Sequence, residues 1–85
     1  MAVKFMPEGG DLVPGVPQIV AFRAERSDAR TAEVEGVVTT ADGDTVARFA
    51  SEHDGMGSFL IIPKTGERYV ATVAARTGDT LRVEL

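Results

Sequence analysis

Along this chain, short runs of valine, isoleucine, threonine, alanine and phenylalanine alternate apolar with polar positions, and turn-forming residues separate them. The breaks fall at Glu8–Gly9–Gly10–Asp11, Ser27–Asp28, Asp42–Gly43–Asp44, Asp54–Gly55–Met56–Gly57, Thr65–Gly66 and Thr77–Gly78–Asp79. Glycine reaches positive φ at no steric cost, and aspartate bonds the backbone two residues on, so both mark turns. Period-two runs with a turn signal every ~8–12 residues predict an all-β sandwich or barrel. No segment of helical length carries a sustained apolar stripe of 3.6-residue period.

The alternation predicts seven strands, at residues 2–6, 18–25, 32–40, 45–51, 58–62, 68–75 and 80–85. In the second, Val20, Phe22 and Ala24 share a face; in the third, Val34, Gly36 and Val38 do, with Glu33, Glu35 and Val37 opposite. Phe59 and Ile61 point inward from the fifth, Tyr69, Ala71 and Val73 from the sixth, and Leu81, Val83 and Leu85 share a face of the last. The fourth breaks period: Val46 and Phe49 stand three apart, and a bulge near Ala47–Arg48 would return both to one face. Pro7, Pro14, Pro17 and Pro63 fall outside strand centres, as a missing amide donor requires.

Seven short antiparallel strands in 85 residues predict an immunoglobulin/fibronectin-III-like sandwich of two sheets in one domain. Tyr69 opens the sixth strand three residues after Gly66, the placement of a tyrosine corner, whose phenol oxygen bonds back to upstream backbone. The alternative is a half-buried tyrosine that merely starts a strand.

Composition narrows the possible functions. The chain has no cysteine, so it has neither a disulfide staple nor a thiolate nucleophile, and its net charge of -4 with scattered arginines argues against gripping a phosphate backbone. The longest apolar run, Phe59–Leu60–Ile61–Ile62, is far too short to span a bilayer. The N-terminus shows no basic segment followed by an apolar stretch, so no signal peptide is expected; the chain would be cytoplasmic or cut from a longer exported protein.

The strings FMPEGGDLVPG (Phe5 to Gly15), VAFRA (Val20 to Ala24), EGVVTTADGDTVARF (Glu35 to Phe49), HDGMGSF (His53 to Phe59) and PKTGERYVA (Pro63 to Ala71) occur in this order. Together they resemble the macroglobulin-like β-sandwich domains of bacterial alpha-2-macroglobulin-type and large cell-envelope proteins. The PEGGDLV and HDGMGSF strings are the most specific, and the resemblance runs from Phe5 to Val73. It implies a scaffold domain used in tandem, periplasmic or at the cell surface. The thioester of full macroglobulins needs a cysteine, which this chain lacks, so no active site is implied.

If consecutive strands run antiparallel, turns near residues 8–16, 41–44 and 63–67 share one end, and those near 26–31, 51–57 and 76–79 the other. The first end gathers Glu8, Asp11, Asp42 and Asp44; the second gathers Asp28, Glu52, His53, Asp54 and Asp79. Calcium takes six to eight oxygens from such loops, which makes Asp42, Asp44 and Asp54 candidate ligands. Yet the twelve-residue cadence of an EF-hand is missing, and solvated loop-tip residues are the simpler reading. His53 is the only histidine, and adjacency in a turn is not expected to bring it face to face with Asp54. No nucleophile elbow or phosphate loop accompanies it. Gly55 and Gly57 are expected to serve tight turns and close approach of chains, with Met56 between them tucked under the loop as a core plug. A sugar-binding platform would need exposed aromatics, but the alternation turns most of Phe5, Phe22, Phe49, Phe59 and Tyr69 inward.

The expected function is therefore a non-catalytic spacer or protein-contact module without cofactor, whose partners are neighbouring domains or another protein rather than nucleic acid. Val37, Leu60 and Ile62, on outer faces, are the candidate contacts. A small module binding calcium or glycan through one loop cluster is the alternative.

Overall fold

A computed structural model describes residues 1–28 and 30–85; Ala29, inside the turn expected at 26–31, lies outside the described residues. The strands are β1 (Ala2–Pro7), β2 (Gln18–Glu25), β3 (Val34–Thr40), β4 (Thr45–Ala50), β5 (Met56–Ile61), β6 (Tyr69–Ala75) and β7 (Thr80–Glu84). Every pairing is antiparallel. One sheet has the order β1-β2-β5 and the other β4-β3-β6-β7, so the chain is an all-β, seven-stranded sandwich of two sheets.

Two strand starts differ from the periodicity by two residues, and β6 starts one residue late, at Tyr69. β3 begins at Val34 rather than residue 32 because Thr31 and Ala32 are still tied to β2, through a Glu25–Thr31 bridge and a 3.2 Å bond from Ala32 N to Ala24 O. β5 begins earlier, at Met56, because a tight turn closes there: Met56 N donates to His53 O at 2.8 Å, and His53 N donates back to Met56 O at 3.3 Å.

The core lies between the sheets. Val20, Phe22, Ala24, Phe59 and Ile61 enter it from the three-stranded sheet, and Val34, Val38, Phe49, Tyr69, Ala71 and Val73 from the other. Its centre is a cluster of four phenylalanines. Phe22 and Phe49 lie 4.9 Å apart by ring centroid, Phe49 and Phe59 5.3 Å, and Phe5 sits 6.0–6.1 Å from all three. Such pairs stabilise by ~0.5–1.5 kcal/mol beyond the area they bury. Two glycines make room for the rings: a Cβ on Gly36 would stand 2.5 Å from the Phe49 ring, and one on Gly57 2.7 Å from the Phe22 ring.

The bulge on the fourth strand exists, one residue earlier than the spacing suggests, and with a different outcome. Val38 pairs with Ala47 but Thr39 with Thr45, so Val46 is the extra residue. The alternation then resumes with Ala47 against the core and Phe49 buried, while Val46 is left 42% exposed. Val46 and Phe49 stand three positions apart, and the chain leaves in solvent the one that costs less to expose. Phenylalanine buries more apolar area than valine, so the register favours Phe49.

Candidate contact surface

The outer face of the three-stranded sheet has two unlike ends. Cross-strand rows place Lys4 beside Arg23 and Arg23 beside Met56, then Met6 beside Ala21 and Ala21 beside Ser58, and finally Ile19 beside Leu60. The first row is basic, with Arg23 also 3.3 Å from Glu25. The last rows hold Met6, Ile19 and Leu60 in the open, with half-buried Ala21 and exposed Ser58 beside Met6. Among the described residues eight large apolar side chains are open to solvent; Met6, Ile19, Leu60 and Ile62 stand on or directly beyond this end of the sheet and Met56 at its other end, and Leu60 and Ile62 are the most open, at 58% and 55%.

Two more, Val13 and Val16, sit on the loop between β1 and β2, which folds back beside the same end. Gly15 N donates to Pro63 O at 2.7 Å, tying the loop next to Ile62. Gln18 holds the rest of it. Its side chain is buried at the start of β2, where Nε2 donates to Asp11 O at 2.6 Å and Glu8 O at 3.3 Å, and Oε1 accepts from Val13 N. A buried amide satisfied by three backbone groups fixes a loop that carries no secondary structure of its own. Six exposed apolar side chains therefore share one end of the molecule, a concentration that isolated surface residues do not show.

Gln18 is the residue that sequence reasoning overlooks. It occupies the parity of Val20, Phe22 and Ala24, all of which face inward. A polar residue in an inward register was the available signal.

The candidate metal ligands do not converge. Asp42 and Asp44 sit in the β3–β4 turn, at the end where Thr40 pairs with Tyr69. Asp54 sits in the β4–β5 turn, where Gly55 O accepts from Ala24 N at 2.8 Å, at the opposite end of the sandwich. Among the described residues, no three histidine, aspartate or glutamate side chains come together.

Other candidate positions are structural. Phe22 and Phe59 are core rings. Tyr69 is buried, and its phenol oxygen accepts from Lys64 N at 2.9 Å, five residues upstream, across the turn that holds Gly66 at φ +76. Asp54 (φ 50) and Gly55 (φ 73) form the centre of the His53–Met56 turn, and positive φ at both central residues is the type I′ hairpin geometry. A Cβ on Gly55 would also stand 2.5 Å from Ala24 O, so the position admits no side chain for two separate reasons.

Two expectations at this turn are corrected. Met56 is no core plug: it is 44% exposed, because Gly57, Phe59 and Ile61 take the inward parity of β5 and leave Met56 on the outer face. His53 and Asp54 do meet, Nε2 to Oδ2 at 2.9 Å, because the left-handed turn brings neighbouring side chains to one side. The pair is solvent-exposed. Val37 differs from Leu60 and Ile62 as well: it is half-buried in a row running Arg48, Val37, Thr72, Arg82 across the four-stranded sheet.

A hollow of about 370 Å³ opens between β1 and β7, lined by Phe5, Leu12, Val20, Val83 and Leu85, with the carboxylates Asp11 and Glu84 among them. No helix among the described residues is long and apolar enough to cross a membrane. The chain matches no protein-family model, no curated protein and no solved structure.

Proposed function

We propose that this chain is a non-catalytic structural and protein-contact module, an immunoglobulin-like and macroglobulin-like sandwich serving as a spacer in a larger bacterial cell-envelope protein. The observation that carries the reading is the gathering of Met6, Val13, Val16, Ile19, Leu60 and Ile62 at one end of the three-stranded sheet and its loop. Apolar side chains held in the open at one place are what a protein partner covers. The partition of the strands, with β4 on the sheet of β3, β6 and β7, is consistent with a fibronectin-type sandwich. The PEGGDLV and HDGMGSF strings support the macroglobulin-like assignment and, through it, the envelope location.

Site-specific photo-crosslinking tests the reading. A photoreactive residue at Ile62, in the protein as the cell makes it, forms adducts with a neighbouring domain or protein. The same group at Thr72, on the opposite sheet, forms few. Equal labelling from both positions, or none from Ile62, overturns it.

A further inference from the structure

The sandwich has four edge strands, and they are not equally protected. β1 carries Lys4, β4 carries Arg48 and the Val46 bulge, and β7 carries Arg82 and Glu84. Charges and bulges on an edge deter pairing with another chain. β5 carries neither: from Gly55 to Pro63 there is no charged residue. Its only sheet neighbour among the described residues is β2.

The free side of β5 can be read from its turn. Met56 N and O both bond His53, away from β2, whereas Gly55 O bonds Ala24 of β2. Backbone groups alternate sides along a strand, so those of Ser58 and Leu60 point to the unprotected edge; β5 ends at Ile61, but the in–out alternation runs on through exposed Ile62 and buried Pro63 and carries the series to Ile62. Residues 52–53 lie beside Met56 and close the edge at that point, since Glu52 N also bonds Met56 O at 2.8 Å. The open segment is therefore 58–62.

We propose that two copies of this chain associate through this edge, β5 against β5 antiparallel about a two-fold axis at Leu60; the inference rests on reading this end as a contact surface. The register is self-complementary. Leu60 meets Leu60 of the second copy, and Ser58 meets Ile62 in both directions. All three pairs are of the kind that exchanges both backbone hydrogen bonds. The closed turn beside Met56 stops the pairing after these three, and there it sets Lys64 of one copy alongside Glu52 and Asp54 of the other. Opposite charges thus meet at both margins of an uncharged centre, which favours a second copy over an unrelated strand. The two three-stranded sheets become one six-stranded sheet with Leu60, Ile62 and Ile19 in a continuous outer strip.

An interface five residues long falls below the ~1,200 Å² of a standard stable complex, so the dimer is weak, with a dissociation constant on the order of 0.1–1 mM. Sedimentation equilibrium across that range tests it. The wild-type chain gives a monomer–dimer isotherm, and Leu60→Lys, at a position already open to solvent, weakens association at least about tenfold with the far-UV spectrum and melting temperature preserved. Amide exchange at Ser58, Leu60 and Ile62 slows as concentration rises. A monomer at every concentration, a dimer indifferent to Leu60→Lys, or open-ended growth beyond the dimer overturns the pairing. Adducts from Ile62 to a different protein, with a monomer in the centrifuge, would sink the pairing alone and leave the contact-module reading standing.

Discussion

Gln18 and Tyr69 perform the same task at the crowded end of the sandwich. Each is a buried side chain that satisfies loop backbone no strand can reach. Gln18→Ala orphans Val13 N and Asp11 O together, and a loss of about 2–4 kcal/mol follows from ~1–3 kcal/mol per unsatisfied group, partly relieved by water; urea denaturation measures it. Tyr69→Phe keeps the ring in the core and removes only the acceptor for Lys64 N, at about 1 kcal/mol, a fall of roughly 4–8 °C in a domain this small. Met56→Asp, by contrast, leaves the melting temperature within about 3 °C of wild type, because surface substitutions stay near ±0.5 kcal/mol. A larger fall would mean that Met56 packs inward after all. Tyr69 was legible in the sequence because a strand start and a nearby glycine are local features. Met56 was not. Its direction depends on which of Met56 and Gly57 takes the inward parity, and that is set by the Phe22 ring, more than thirty residues away in the chain.

Among the elements, β4 and β5 show how far alternation can be read. Both lie at sheet edges, and both begin or end irregularly. The bulge in β4 was visible as a broken period, but its position was not, because a spacing of three from Val46 to Phe49 permits either side chain to lead. For β5 the inward pair Phe59 and Ile61 followed from period two alone. That Leu60 stands beside Ile19 did not, since that neighbour comes from the register with β2. Gly57 tests the packing of this strand. A methyl group there meets the Phe22 ring at 2.7 Å and Ala50 O at 2.7 Å. The ring can shift but the β4 carbonyl cannot do so cheaply, so Gly57→Ala costs about 1–3 kcal/mol. Gly36 faces the same limit, with Thr72 O near the position its methyl would take. Equal denaturation midpoints for Gly57→Ala and wild type would show that the strands are less tightly packed than described.

At the scale of the molecule, the sandwich separates its jobs. The inner faces hold the phenylalanine cluster, the outer face of the four-stranded sheet is mixed and carries Arg48 and Arg82, and the outer face of the three-stranded sheet is apolar at one end. The candidate acidic ligands are divided between opposite ends. Saturating calcium accordingly leaves the thermal transition in place, whereas a ligand bound only by the folded state at 100 times its dissociation constant would add ~2.7 kcal/mol. A calcium-dependent rise of several degrees would favour a ligand-binding module instead. The most direct measurement is the stability of the triple variant Ile19→Lys, Leu60→Lys, Ile62→Lys. If these side chains are apolar for the sake of a partner, its unfolding free energy from urea denaturation stays within about 1 kcal/mol of wild type, and photo-crosslinks formed from a probe at Met6 disappear. A loss of several kcal/mol would place the three residues in the fold's own core and contradict the contact surface.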